Sequence, residues 1–180
     1  MRSTPAREKL LDAASTLFYE DGIAATGVDD VVRSAEVSKP TLYAHFGSKA
    51  DLVGAVLERR HAARAAELEA LEGGPLAVFG WLADFYARDG ARGCAFVNAA
   101  AELAHGGPGR DAAVREKAWL RAELARRARG AGLGDPEKLA SRLGLLIDGV
   151  AARVVVDGHG AADRAVEDAT DAARTLVDAA

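Results

Sequence analysis

The chain has 180 residues, one cysteine and a formal net charge of −4 at pH 7. This length is enough for one large domain or for two small domains that share a core, and one cysteine cannot form an intrachain disulfide, which is typical of a reducing cytoplasm. The acidic balance argues against a general nucleic-acid coat. The N-terminus lacks a secretory signal, and no apolar stretch is long enough to span a bilayer. We therefore expect a cytoplasmic protein with no membrane partner.

The first predicted helix has a single apolar face. Its apolar residues, spaced three and four apart, are Leu10, Leu11, Ala14, Leu17 and Phe18. Gly22 comes next and is a natural residue to end the helix. Thr26 precedes the second helix and either caps it or holds a phosphate, two roles that are compatible. We expect the first helix to cover the apolar sides of the second and third helices.

Residues 28–46 have the pattern of a helix-turn-helix. The apolar face of its first helix consists of Val28, Val31, Val32 and Ala35. Residues 36–38 supply a turn, in which Val37 can fill the angle between the helices and Ser38 can cap the second helix. The spacing therefore predicts two short helices joined by a tight turn.

The second helix of this pattern, residues 39–46, is suited to a DNA major groove. Pro40 lies in its first turn, where a missing N–H has no cost because that group has no intrahelical partner. Leu42 and Phe46 form its apolar side. The residues left for the other sides are Lys39, Thr41, Tyr43, Ala44 and His45.

Thr26 and the segment Val37-Ser38-Lys39-Pro40-Thr41-Leu42-Tyr43-Ala44-His45-Phe46-Gly47-Ser48-Lys49 closely resemble the DNA-binding signature of the tetracycline-repressor (TetR) family. The resemblance covers roughly residues 7–57, including the helix spacing. It implies a homodimer on a double-stranded DNA operator. It also implies phosphate contacts by Thr26, Tyr43 and Lys49. The residues that it assigns to the groove floor are Ser38, Lys39, Pro40, Thr41 and His45.

Glu36 departs from the resemblance, since the family usually has glycine or a similarly permissive residue in this turn. Glu36 either accepts a left-handed backbone, at a cost of about 1 kcal/mol, or the turn differs.

Between residues 37 and 50 the only formal charges are Lys39 and Lys49, with His45 beside them. A small cationic edge on an acidic chain favours a site-specific binder with few phosphate contacts.

The rest of the chain is also predicted to be helical. Ser48 begins a long fourth helix that reaches about residue 71 and links the DNA-binding part to the C-terminal half of the chain. Further helices are expected at about 76–87, 94–104, 114–129, 136–156 and after 160. The helix at 94–104 is nearly all apolar and should be buried on most sides, and the helix at 114–129 should carry its basic residues outside. The prediction is an all-α fold of about nine helices, with a helix-turn-helix domain at 1–48 and a ligand-binding and dimerisation domain at 49–180.

The candidate ligand-binding residues lie on the helices expected to surround a cavity. They are Trp81, Phe85, Cys94, Val97, Asn98, Glu102 and Trp119. For any single aromatic residue, ordinary core packing is the simpler interpretation. Asn98 and Glu102 lie one turn apart in an apolar helix, where they either orient a ligand or bond another helix.

Two alternative chemistries are weaker. Glu102 and His105 form one E-x-x-H pair, whereas a carboxylate di-metal centre in a helical bundle needs two, so we predict no metal and no cofactor. Cys94 is a single cysteine in an apolar run, which is more typical of an inert small hydrophobe than of a redox thiol.

The last two helices are the predicted dimer interface. Both have apolar or small residues at spacings of three and four, which permit close helix packing. The predicted interface residues are Leu143, Ile147, Val150, Val154, Ala165, Ala169, Ala172 and Leu176. In the family that the chain resembles, the final two helices dimerise.

The sequence raises three functional hypotheses. The leading one is a transcriptional repressor released from a palindromic operator by a small, apolar effector. The second is a constitutive DNA-binding dimer with no inducer. The third is an enzyme that uses Glu102 and His105, but the sequence has no nucleophile, phosphate loop or metal set to support it. We therefore predict a regulator and not an enzyme.

Overall fold

The computed structural model describes residues 4–88 and 90–180. Within these residues the chain forms nine α-helices, one short 3-10 helix and no β-strand, which confirms the predicted all-α class. The helices are α1 (Pro5–Glu20), α2 (Val28–Ser34), α3 (Lys39–Phe46), α4 (Lys49–Glu69), α5 (Ala77–Arg88), α6 (Ala95–Glu102), α7 (Pro108–Gly130), α8 (Pro136–Asp157) and α9 (Ala162–Asp178).

Local sequence signals set the ends of α1. The Thr4 hydroxyl oxygen accepts a hydrogen bond from the Arg7 N–H at 3.3 Å, and Pro5 occupies the first turn. After the helix ends at Glu20, Gly22 adopts a φ of 97°, a backbone conformation that glycine reaches without steric cost. The predicted stop at Gly22 is therefore confirmed.

The helix-turn-helix forms as predicted. α1 packs on both α2 and α3, and α2 packs on α3. Val31, Leu42 and Phe46 are buried between these helices. In the turn, Glu36 adopts a φ of 53°, so this residue does accept the left-handed backbone. The chain tolerates the local strain and keeps the turn.

The chain divides into two compact units. The first unit consists of residues up to Ala63 together with Ala95–Val114, and the second of Arg64–Cys94 and Arg115–Ala180. The first unit thus extends beyond residue 48, where the predicted helix-turn-helix domain ends, and it includes most of α4 and all of α6. Within this unit, a Cβ built on Gly54 of α4 would lie 2.8 Å from Pro108 Cβ, so the glycine permits α7 to begin close to α4.

The second unit has its own apolar core. α9 packs on α5 and on α8, and α7 contributes Leu120 and Leu124. Buried residues of the long C-terminal helices, such as Leu143 and Val154, complete it. This core therefore comes from helices that are distant in sequence.

The structure corrects the expectation that the basic residues of α7 lie outside, because Arg127 is buried. Glu116, Glu123 and Arg127 are buried. Arg127 donates to the Glu123 carboxylate at 2.8 Å, to Leu71 O and Gly73 O at 3.0 Å each, and also to Leu68 O. The guanidinium thus bonds backbone carbonyls at and after the last turn of α4, where helical N–H partners run out, and Leu68 O also accepts from the Leu71 N–H at 3.2 Å.

The expectation that the helix at 94–104 is buried on most sides is wrong. In α6 only Phe96 and Ala99 are buried, and Val97, Ala101 and Glu102 are exposed. Small alanines made the helix look apolar without requiring burial. Among the described residues, no helix combines the length and apolar character needed to cross a membrane.

Candidate DNA-binding interface and ligand cavity

Helix α3 presents a polar surface because its apolar side is used in packing. Leu42 and Phe46 face the core, whereas Ser38, Lys39, Pro40 and Tyr43 are exposed. Thr41 and His45, also predicted to contact DNA, are partly buried. The structure thus brings the predicted groove-floor residues together on one short helix and its N-cap.

Hydrogen bonds organise the two ends of α3. Ser38 Oγ accepts from the Thr41 N–H at 3.2 Å and shares a second hydrogen bond, of 2.7 Å, with the Thr41 hydroxyl. This confirms Ser38 as the helix cap. At the other end His45 Nε2 lies 3.3 Å from Thr4 Oγ1. Arg7 places its guanidinium 5.2 Å from the centre of the Phe46 ring.

Lys39 is paired with an acid from the preceding helix. Its ammonium lies 2.9 Å from Asp29 Oδ1, and the hydrogen bond to Asp29 raises the pKa of Lys39 above its ordinary value. Residues 37–50 contain no acid, and the sequence alone did not indicate a pairing of Lys39 with Asp29. It arises because the turn brings α2 beside the start of α3.

Lys49, at the start of α4, points to the backbone of the first unit. Its ammonium donates to Ile23 O at 2.6 Å, and the residue is partly buried. The Ser48 hydroxyl oxygen accepts from the Asp51 N–H at 3.1 Å, which confirms Ser48 as the cap of this helix. In this structure Lys49 therefore holds the loop between α1 and α2.

Thr26 does not cap α2, which was one of its two predicted roles. Its side chain is 3% exposed, and its hydroxyl donates to Gly22 O at 2.7 Å. Gly27 is instead the N-cap of α2, with its N–H donating to the Asp30 carboxylate at 3.0 Å. The Thr26 hydroxyl bonds backbone within the loop between α1 and α2 and does not face solvent.

A cavity in the second unit collects three of the predicted ligand-binding residues, Trp81, Phe85 and Cys94. The Trp81 and Phe85 rings stack with centroids 5.5 Å apart. Further lining residues include Arg64 and Lys117. The open space is about 20 Å³, close to the volume of one water molecule.

Arg64 is the charged centre of this cavity, and the sequence did not single it out. It donates to the buried Glu116 carboxylate at 2.8 Å. Its guanidinium also lies 5.4 Å from the Trp81 ring centre and 5.7 Å from that of Phe85. Burial lowers the pKa of Arg64, but the neighbouring Cys94 and Glu116 outweigh this effect, so the pKa is raised overall. The guanidinium therefore remains charged against two aromatic faces.

Four predicted ligand-binding residues do not join this cavity. Asn98 and Glu102 line a different cavity, within the first unit, beside Phe18, Tyr19 and Leu57. Val97 is 37% exposed, and Trp119 packs on the second unit's core without lining either of these two cavities. Within its two turns α6 has one buried side and one exposed side. The apolar pattern of its sequence did not reveal which residues lie on which side.

The polar residues of α6 also have a structural use. Glu102 Oε2 accepts from the Ala24 N–H at 2.8 Å, so Glu102 bonds the loop between α1 and α2 and not another helix. His105 is exposed. Across the described ranges, no cluster of three or more His, Cys, Asp or Glu residues is arranged to hold a metal ion.

Most of the predicted dimer-interface residues are instead part of the chain's own core. Six of the eight are buried: Leu143, Ile147, Val150, Val154, Ala165 and Ala169. Ala172 and Leu176 are partly buried. The core of the second unit uses the apolar stripes of α8 and α9, so those six side chains have little surface left for a second copy.

An all-helical chain that presents a capped recognition helix from a tightly packed helix-turn-helix belongs to the class of DNA-binding transcription regulators. Residues 10–56 match the sequence model described as bacterial regulatory proteins, tetR family. The structure resembles that of a TetR transcriptional regulator from Streptomyces avermitilis, with a TM-score of 0.84 and 32% identity over 99% of this chain and 98% of that one. A TetR-family regulator from Streptomyces coelicolor gives a TM-score of 0.85 and 28% identity, over 97% and 89% of the two chains.

The chain belongs to the TetR family of transcriptional regulators. It is 51% identical over 53 residues to the transcriptional activator FasR of Mycolicibacterium smegmatis, covering 29% of this chain and 24% of FasR. It is 37% identical over 101 residues to the repressor ComR of Escherichia coli, covering 51% and 48% of the two chains. The chain therefore matches about a quarter to a half of these curated relatives. Its relatives and its fold are those of transcription regulators and not of enzymes.

Proposed function

We propose that the protein is a ligand-responsive transcriptional repressor that binds a near-palindromic operator as a homodimer in the cytoplasm. The observation that carries this proposal is α3 with its N-cap, where Leu42 and Phe46 anchor the helix and four residues are exposed: Ser38, Lys39, Pro40 and Tyr43. Two such helices, about 34–36 Å apart, fit successive major grooves of DNA.

The charge around α3 supports recognition of a specific site. Lys39 is neutralised by Asp29, whereas Lys49 donates to the uncharged Ile23 O and keeps its positive charge, so an acid compensates one of these two cations. Affinity from phosphate contacts alone rises with the number of cations that replace counterions. A surface with few unpaired cations must therefore obtain much of its operator affinity from base-edge contacts.

For the dimer we propose that α8 and α9 meet a second copy through side chains other than the six buried ones. Leu145 is 70% exposed and Val156 is 81% exposed, both on α8. Leu145 and Val156 are eleven positions apart, which places them on the same side of α8, and a row of exposed apolar residues marks an interaction surface where a single one such as Val114 does not. Leu145→Glu should give a monomer by sedimentation, whereas Val114→Glu, an exposed valine of α7, should leave the oligomeric state unchanged. The same oligomeric state in both variants would contradict the proposal that this surface of α8 forms the dimer.

For the effector we propose the cavity of the second unit. Trp81 and Phe85 offer stacked aromatic faces, and both cations of the lining have acidic partners, Arg64 with Glu116 and Lys117 with Asp148. A neutral, flat and largely apolar molecule suits such a lining. The cavity must open, because ligand pockets usually measure about 300–1,000 Å³. A difference in affinity of about 1–3 kcal/mol between two conformations is enough for release from DNA.

A constitutive DNA-binding dimer is the second candidate. It is favoured by the space of about 20 Å³ in the cavity, which side chains almost fill. The two candidates differ in one result: only the first is released from its operator by an effector.

The first experiment is selection of a randomised duplex DNA library by the purified protein at moderate salt, followed by sequencing. An enriched palindrome is expected, and it supplies the probe for a screen of flat apolar compounds. Absence of enrichment would contradict operator binding. An operator that no compound releases, with a Trp81→Ala variant that behaves like wild type, would favour the constitutive dimer.

A further inference from the structure

Glu102 at the end of α6 holds the loop between α1 and α2. Its Oε2 accepts a hydrogen bond from the Ala24 N–H at 2.8 Å, although the two residues are 78 positions apart in sequence. The carboxylate also lies against Gly22, where an added Cβ would come within 3.2 Å of the same oxygen. All three residues belong to the first unit. The glycine therefore leaves room for the acid to reach the backbone.

The same loop is held at neighbouring positions. Lys49 of α4 donates to Ile23 O at 2.6 Å. Thr26 donates from its hydroxyl to Gly22 O at 2.7 Å. Side chains from α4 and α6 thus bind the backbone of two consecutive residues, 23 and 24. A loop fixed in this way has little freedom to rotate.

This loop leads directly into the helix-turn-helix. α2 begins at Val28, and Val31 packs in the same small core as Leu42 of α3. In helix-turn-helix complexes the first helix crosses the DNA backbone while the second lies in the groove. A rotation of the loop would therefore change the angle at which α2 and α3 meet the DNA.

We propose that Glu102 is a positioning residue for operator binding, which acts by fixing the α1–α2 loop through the Ala24 N–H and thereby the orientation of α2 and α3. The inference rests on the proposed function only in requiring that this chain binds an operator. It assigns to α6, a helix outside the helix-turn-helix, an effect on DNA affinity that is transmitted through the α1–α2 loop.

Charge alone predicts the opposite effect. Removal of an exposed carboxylate makes the protein less acidic, which strengthens its attraction to DNA phosphates. If Glu102 positions the loop, its removal weakens binding in spite of the more favourable charge. The direction of the change therefore separates the two explanations.

The test compares Glu102→Ala, Glu102→Gln and a control, Glu20→Ala, for affinity to the selected operator by fluorescence anisotropy at fixed salt. Glu20 is an exposed acid at the end of α1, so its removal makes the same charge change in the same unit. Glu102→Ala loses the hydrogen bond and should bind the operator about five- to tenfold more weakly than wild type. Glu102→Gln keeps an acceptor oxygen and should remain within about threefold of wild type. Glu20→Ala should bind as well as wild type or slightly more tightly.

Hydrogen exchange measured by NMR provides a second readout. The Ala24 amide should exchange slowly in the wild type and in Glu102→Gln, and faster in Glu102→Ala. An unchanged operator affinity for Glu102→Ala would overturn the inference, even if its melting temperature falls, because the role would then be only structural. Equal losses in Glu102→Ala and Glu102→Gln would also overturn it. A wild-type protein that binds no DNA would instead refute the proposed function itself, and the positioning role with it.

Discussion

The Lys39 ammonium lies 2.9 Å from the Asp29 carboxylate, so the cation at the start of the recognition helix is held by the helix before it. This pair links the start of α3 to α2 across the turn, and it compensates the positive charge of Lys39. In the proposed operator complex, this compensation would limit the sequence-independent part of the affinity contributed by α3.

Asp29→Asn should release Lys39 and tighten binding to all DNA sequences. Each additional phosphate contact steepens the dependence of log K on log salt by about one unit, so a change of this size is expected in a salt titration of operator binding. Asp21→Asn, which removes an exposed acid of the same unit, is the matched control. Equal slopes for wild type and Asp29→Asn would show that Lys39 does not reach a phosphate when it is freed.

Glu36→Gly should stabilise the protein. Glu36 is exposed at a φ of 53°, a conformation that costs a residue with a Cβ about 1 kcal/mol more than glycine. Chemical denaturation should show a gain in unfolding free energy of about this size. Asp135 has a similar φ of 43°, but its carboxylate caps α8 by accepting from the Lys138 N–H at 3.3 Å. Asp135→Gly should therefore gain less, and a lowered midpoint for Glu36→Gly would refute the account of strain.

The buried pair of Arg64 and Glu116 should show strong coupling. Arg64→Met leaves the fully buried Glu116 carboxylate without this partner, at a cost of about 3–5 kcal/mol. Arg64→Met/Glu116→Leu removes both charges and should cost less than either single change. Urea denaturation of the four proteins measures this double-mutant cycle. Additive losses of unfolding free energy would mean that Arg64 and Glu116 contribute to stability independently.

Acid should destabilise the second unit partly through Glu123. The hydrogen bond from Arg126 is the main reason that the pKa of Glu123 is lowered, and a bond from Arg127 acts in the same direction, against the effect of burial. Because the folded pKa lies below the unfolded one, this stabilisation is present above about pH 4.3, the usual pKa of Glu, and is lost as the pH falls through the folded value. Melting temperatures between pH 7 and pH 3 should therefore fall less steeply for Glu123→Gln than for wild type. If the melting temperatures of both proteins fall equally with pH, Glu123 does not contribute to the acid sensitivity.

Local features of the fold could be predicted from the sequence alone. The helix-turn-helix, the caps at Ser38 and Ser48, the stop at Gly22 and the strained turn at Glu36 depend on side chains within a few residues of the backbone they affect. The family resemblance rests on the same segment. Hydrogen bonds and dihedral preferences of this range are encoded by neighbouring residues, so a single sequence reveals them.

Only the tertiary structure decided which partner each polar or apolar group meets. The apolar stripes of α8 and α9 are compatible with a dimer interface or with a core, and packing against α5 and α7 buries six of the eight predicted interface residues within the chain. Glu102 and Lys49 bind the backbone of the α1–α2 loop, and Asp29 pairs with Lys39, because side chains on elements distant in sequence or separated by a turn come within 3 Å of their partners. Periodicity specifies which face of a helix is apolar, but the identity of the surface that covers it depends on the positions of all the other helices.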